Sequence, residues 1–155
     1  LAYINCAAAI NILGPLTNPA GARNQVMGVF HSDLVGIQAR VLKQLGSTHA
    51  LVVHGTDGLD EITLSGPTQV AELKHGFVTE FTIEPKQFGL DMTALDAIRA
   101  PDRESSKVML LSVLDNLPGA AKDIVSLNAG AAIYVAGLAP DLWGGVTRAR
   151  EMIET

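Results

Sequence analysis

Two adjacent carboxylates, Asp60 and Glu61, stand on the glycine-rich segment "VVHGTDGLDEITL" (residues 52–64), between one apolar run and another. Asp and Glu are hard oxygen donors suited to Mg2+. That ion takes one or two carboxylates and leaves the rest of its shell to water and substrate phosphates. On a loop, neighbouring carboxylates can face one metal–phosphate cluster, whereas on a strand they would alternate between faces. Gly55 and Gly58 permit positive φ and a close approach of backbone to a bound group. A solvated acidic turn accounts for the same residues, since Asp-Gly is an ordinary turn dipeptide. Without a metal, such a loop would repel phosphate.

Other candidate chemistry is sparse. His54, at the end of the apolar run, reads as a structural hydrogen-bonding partner rather than a catalyst. Cys6 has no histidine near it in sequence and reads as a small buried residue. No spacing suits a zinc site, and neither a G-x-x-x-x-G-K-[ST] nor a G-x-G-x-x-G motif occurs. No nucleophile–base pair stands out, so no catalytic residue is assigned.

The elements that must position the acidic segment follow from pattern. "NQVMGVF" (24–30) predicts a short buried strand, and His31, Ser32 and Asp33 a helix N-cap cluster. Leu34, Ile37, Val41, Leu42 and Leu45 form a helical stripe over 33–45, with Gly46 at the C-cap. "HALVVHG" (49–55) predicts a strand buried on both faces, completing a βαβ unit whose second strand ends at His54. In open α/β sheets ligands bind beyond the C-terminal ends of strands, which places residues 55–61 where a ligand belongs. "EITLSG", "TQVAELKHG" and "FVTEFTIEP" read as three β segments of an antiparallel meander, with Phe77, Thr79, Phe81 and Ile83 alternating. Residues 85–90 read as a loop. Helices are expected over 92–100, 105–114 and 123–139, with a last one after Pro140-Asp141 burying Leu142, Val146, Ala149 and Ile153. The fold class is therefore α/β: a mixed sheet with a parallel βαβ unit, an antiparallel meander and flanking helices.

A chain of 155 residues with 48% hydrophobic and 17% charged residues affords a sizeable core and is one domain's worth of polypeptide. The net charge of −5, with no basic tract, argues against nucleic-acid and membrane-surface partners. A single cysteine excludes an intrachain disulfide framework and suits a reducing cytoplasm. No run is long and apolar enough to span a membrane, and "LAYINCAAAIN" lacks the positive region of a secretory signal. A chain that starts at Leu1 is expected to be a processed or truncated piece.

"NILGPLTNPAGARNQVMGVF", "LKQLGSTHALVVHGTDGLDEITLSGPTQVAEL" and "DIVSLNAGAAIYVAGLAPDLWGGVTRARE" together resemble the anthranilate phosphoribosyltransferase family, in family order and over about nine-tenths of the chain, from about residue 10 to 155. The resemblance implies the α/β domain of the class that unites nucleoside phosphorylases and phosphoribosyltransferases. It implies a reaction in which the amine of anthranilate displaces pyrophosphate from C1 of phosphoribosyl pyrophosphate. By the same resemblance Asp60 and Glu61 help hold Mg2+ on the diphosphate, a purely electrostatic role. The G-P-L-T-N-P loop, with Gly14, Pro15 and Asn18, resembles the family loop that borders the aromatic-acid site; a rigid structural turn accounts for it equally. Asn128, in "LNAGAA", is assigned to capping and packing.

The departures from the family are as informative. Its G-T-G-G-D loop with the following N-x-S-T, its K-H-G-N segment and the helical N-terminal domain through which members dimerise have no counterpart. Ala7 stands where a family arginine would meet anthranilate, and residues 1–9 read as a non-matching leader. The resemblance thus implies that residues 1–155 are a single partial domain, the C-terminal part of a cytoplasmic, homodimeric enzyme, inactive as an isolated chain. The alternatives are a non-catalytic metal- or phosphate-binding or interaction domain of the same fold, and a relative of pyrimidine nucleoside phosphorylases.

Overall fold

The computed structural model describes residues 12–155; Cys6, Ala7 and the expected leader lie outside the described residues. A four-stranded sheet has the order β1 (Asn24–Gly28), β2 (His49–Gly55), β3 (Thr68–Lys74) and β4 (Phe77–Ile83). β1 and β2 are parallel, joined through α1 (Leu34–Gln44), with Val26 opposite Leu51. β3 is antiparallel to both β2 and β4. The expected βαβ unit and meander thus share β2. Three helices follow: α2 (Arg103–Leu114), α3 (Ala120–Val135) and α4 (Leu142–Ile153).

Alternation along the strands feeds two cores. Leu51, Val53 and Val70 pack with Leu127, Ala131 and Val146 of α3 and α4, while Ala50, Val52, Ala71 and Leu73 pack with Val35, Ala39 and Leu42 of α1. β2, covered on both faces, is buried throughout its centre as expected. α3 is also fastened to the sheet by polar groups. The Tyr134 hydroxyl donates to Glu72 Oε1 at 2.6 Å and accepts from Lys74 Nζ at 2.9 Å, and His49 Nε2 lies 2.9 Å from the same carboxylate.

Several sequence expectations fail for physical reasons. "EITLSG" forms no strand. Side chains take over its backbone bonds: Thr63 N–H donates to Thr68 Oγ1 and Ser65 N–H to Thr63 Oγ1, which displaces ladder pairing. The expected helix over 92–100 shrinks to a 3-10 turn at Leu95–Ile98, ahead of Pro101, which disfavours helical geometry at the residue before it. In α1 the stripe is rotated: Ile37 is 48% exposed and Leu45 58%, while Gly36, Gln38 and Ala39 face the sheet. That face mixes sizes, from Gly36 and Ala39 to Val35, Gln38 and Leu42, and a Cβ on Gly36 would sit 2.1 Å from Glu80 Oε1, a carboxylate that also accepts from Arg40 of α1. On β4 Phe77 is 75% exposed, because this edge strand extends beyond what the helices cover. The N-cap cluster also works differently. Asp33 makes no side-chain cap, and the carbonyls of His31 and Ser32 accept from Leu34 and Val35 N–H.

α3 and α4 cross through glycines. A Cβ on Gly145 would meet the Gly130 carbonyl oxygen at 2.2 Å, and one on Gly130 would meet Val146 Cα at 2.6 Å. Gly145→Val is therefore expected to force the helices apart and cost about 2–3 kcal/mol, a fall in Tm of roughly 4–12 °C. A thermal melt with unchanged Tm would show that the helices do not touch there.

Candidate functional site

The acidic loop leaves β2 at His54, whose Nδ1 lies 2.8 Å from the Val29 carbonyl oxygen beyond β1. This is the structural role expected of that histidine. The chain then turns tightly. Gly55 N–H donates to the Leu59 carbonyl (2.8 Å) and Gly58 N–H to the Gly55 carbonyl (2.9 Å), with Gly58 at φ +94°. A residue with a side chain would be strained at that angle.

The carboxylate that shapes this turn is one the spacing left unassigned. Asp57 accepts from the Thr63 hydroxyl (2.5 Å), the Ser65 hydroxyl and Leu59 N–H (3.1 Å). Burial alone would raise its pKa. The bonds from Ser65, Thr63 and Leu59 outweigh it and hold the carboxyl below its ordinary value. The sequence signal for it is the T-x-S that follows the Asp-Gly turn, two hydroxyls placed to close back on one acid.

Asn128 of α3 grips the end of the loop in both directions. Its Oδ1 accepts from Ile62 N–H and its Nδ2 donates to the Ile62 carbonyl, each at 3.0 Å, while Nδ2 also reaches the Ile124 carbonyl. The packing role expected of Asn128 thus has a specific content, because it fixes the residue next to Glu61.

Asp60 and Glu61 are exposed at the tip and open on different sides. Asp60 lines a cavity of about 390 Å³ together with Gly14, Pro15, Gly28, Phe30 and Leu34. Glu61 lines a neighbouring, more apolar groove with Leu110, Leu114 and Val125. Two of the three G-P-L-T-N-P residues singled out from sequence, Gly14 and Pro15, therefore meet Asp60. Asn18 does not: it borders a separate cavity behind Pro15, and its Oδ1 accepts from Ala20 N–H at 3.0 Å, closing a turn. Pro15 opens a 3-10 turn, Pro15–Thr17, which gives the loop a rigid corner.

Gly28 joins the site without any local sequence signal. A Cβ there would lie 1.6 Å from the Asp60 carbonyl oxygen, so the acidic loop rests directly on the end of β1.

Among the described residues, neither Asp60 nor Glu61 has a cationic partner within salt-bridge distance. Although the residue is exposed, partial desolvation of its carboxyl against the groove, first, and the Asp60 charge, second, push Glu61 above its ordinary value. No group of three or more His, Cys, Asp or Glu able to hold a metal occurs among the described residues, so these residues alone offer no closed cage. An uncompensated pair of this kind suits a hard cation that draws its remaining ligands from water and a phosphorylated substrate. No helix among the described residues is long and apolar enough to cross a membrane.

Comparison with known proteins gives a consistent result. A family model described as "Glycosyl transferase family, a/b domain" matches residues 3–155. Most of the expected non-matching leader thus falls within the family match. The anthranilate phosphoribosyltransferase of Laribacter hongkongensis is 64% identical over 143 residues, covering 92% of this chain and 42% of the relative. The crystal structure of anthranilate phosphoribosyltransferase from Thermus thermophilus superposes with a TM-score of 0.83 at 38% identity, over 92% of this chain and 42% of that one. The Saccharomyces cerevisiae enzyme in complex with PRPP and Mg gives a TM-score of 0.77 at 25% identity, over the same shares. The chain spans about two-fifths of the length of the relatives it matches.

Proposed function

Because the chain belongs to the glycosyl transferase family, a/b domain, we propose that it forms the metal–diphosphate face of an anthranilate phosphoribosyltransferase. The whole enzyme transfers the phosphoribosyl group of phosphoribosyl pyrophosphate to the amine of anthranilate, in tryptophan biosynthesis in the cytoplasm. The observation that carries this reading is the meeting of Asp60 with Gly14 and Pro15 around one cavity, beside a second carboxylate and, among the described residues, with no cation to neutralise either. Relatives carrying the anthranilate phosphoribosyltransferase name support it, and they do not favour a nucleoside phosphorylase or a non-catalytic module.

Asp60 and Glu61 would hold Mg2+, each from its own side of the loop tip. When bound, that ion supplies neutralisation of the departing diphosphate. The remaining contributions belong to the chain. Asp57 and Asn128 hold the loop so that the carboxylates need no reorganisation. Gly28 lets the loop sit against β1. The Pro15 corner, with Gly14, Phe30 and Leu34, gives the cavity a rigid wall with both polar and apolar surface, on which an aromatic acid could rest. Asn18 keeps the turn behind that wall. No side chain is asked to act as nucleophile. Residues 1–155 are read as a partial domain of a homodimeric enzyme, and catalysis belongs to the whole.

Calorimetric titration of the chain with pyrophosphate, with and without Mg2+, tests this reading. Binding is expected only when Mg2+ is present, because the acidic loop repels the bare anion. Equal binding in chelator, or no binding with Mg2+, would overturn it.

A further inference from the structure

Asp57–Gly58 is the only place in the chain where an aspartate or asparagine precedes a glycine. That pairing has a covalent chemistry of its own. The Gly58 nitrogen can attack Cγ of the Asp57 carboxyl group and close a five-membered succinimide, and glycine has no side chain to shield the attacking nitrogen. The bond formed is N–Cγ and the bond broken is Cγ–O; the carboxyl OH leaves with the amide proton as water. Water then reopens the ring. If it adds at the main-chain carbonyl carbon, the chain runs through the Asp57 side chain, an isoaspartyl linkage with one more carbon in the backbone. Water is lost and regained, and no other reactant is needed.

The folded loop opposes this reaction at each reacting group. Asp57 Oδ2 accepts from the hydroxyls of Thr63 and Ser65, and Oδ1 accepts from Leu59 N–H at 3.1 Å, so neither oxygen is free to take the proton with which it must leave. The bare Cα of Gly55 makes room for this carboxylate, since a Cβ there would lie 2.5 Å from Asp57 Oδ1. The attacking nitrogen is engaged as well, because Gly58 N–H donates to the Gly55 carbonyl at 2.9 Å. Packing adds nothing to these bonds: no atom lies within 4 Å of where a Cβ on Gly58 would stand. Protection therefore rests on hydrogen bonds alone and is lost when the loop opens.

We propose that Asp57–Gly58 is a latent isoaspartate site, held closed in the folded chain by the hydroxyls of Thr63 and Ser65. The turn that carries it is closed by the bond from Gly55 N–H to the Leu59 carbonyl, which spans the altered linkage. An extra backbone carbon inside that turn displaces the residues that follow it, Asp60 and Glu61 first. This chemistry is independent of what the loop binds.

The wild-type chain and the double variant Thr63→Val with Ser65→Ala are incubated at neutral pH, in buffer and in denaturing urea. Isoaspartate at position 57 is read by electron-transfer mass spectrometry of the loop peptide. In urea both chains are expected to form it at the same rate. In buffer the wild type should form it roughly 100-fold more slowly than in urea, and the folded double variant about tenfold faster than the folded wild type. No isoaspartate at position 57 in urea overturns the site, and equal wild-type rates in urea and buffer overturn its protection by the fold. Equal rates in the two folded chains overturn the role of the hydroxyls. If circular dichroism shows the double variant unfolded, Ser65→Ala alone replaces it, since that change leaves the buried Thr63 in place.

Discussion

The double substitution Asp60→Asn with Glu61→Gln is expected to abolish Mg2+-dependent pyrophosphate binding while leaving the fold intact. Both changes are nearly isosteric and remove only charge. Each lost charge-assisted contact is worth about 1.5–3 kcal/mol, so affinity should fall by roughly 10²- to 10⁴-fold. The turn should survive, because Asp57 and Asn128 are untouched. Stability near neutral pH should hold or rise slightly. The Glu61 carboxyl sits above its ordinary value through partial desolvation and the Asp60 charge, so its ionised form is disfavoured in the folded state. Parallel titrations and thermal melts check both halves. In a chimera in which this chain replaces the matching 143 residues of the L. hongkongensis protein, pyrophosphate release with anthranilate, Mg2+ and phosphoribosyl pyrophosphate should fall as binding does. Full binding by the double variant would remove the carboxylates from the metal site.

Gly28→Ala is expected to do comparable damage from outside the loop. The new methyl group would lie 1.6 Å from the Asp60 carbonyl oxygen, and real Cβ contacts stay beyond 3.0 Å, so the loop or the strand must retreat by about 1.4 Å. A misplacement of about 1 Å in a binding constellation can cost about 100-fold. Mg2+-dependent pyrophosphate affinity should therefore drop by about that factor, while circular dichroism shows the sheet retained. Gly58→Ala is the comparison. It meets no atom within 4 Å, and its penalty comes only from φ +94°, so it should lower the melting point more than it displaces Asp60. Unchanged affinity in Gly28→Ala would mean that β1 does not set the position of the loop.

The difference between these two glycines marks how far the sequence is legible. The unit β1–α1–β2, the strands β3 and β4 and the helices α3 and α4 are written in local periodicity and turn residues. The placement of the acidic loop at the end of β2 follows from them. The contact between Gly28 and Asp60 spans 32 positions of sequence and exists only because β1 and β2 run parallel in one register. No local pattern encodes it. The apolar character of "EITLSG" is legible, but its lack of ladder pairing is not, because hydroxyl and amide side chains satisfy its backbone. The buried face of α1 escapes local pattern for a related reason. Counting large apolar residues favours Ile37 and Leu45, whereas the face packed on the sheet carries Gly36, Gln38 and Ala39 beside Val35 and Leu42. At the loop tip, adjacency of Asp60 and Glu61 suggests a shared direction, and the structure opens them onto different cavities.

The two-way grip of Asn128 on Ile62 has a consequence for how the molecule opens. A helix side chain stands in for a neighbouring strand, so the Ile62 amide is protected only while α3 is in place. α3 in turn crosses α4 through Gly130 and Gly145 and is tied to Glu72 through Tyr134. The acidic loop, although it leaves the sheet at β2, therefore belongs to the cooperative unit of the two C-terminal helices. When that unit breathes, the loop loosens with it, even while the sheet stays closed.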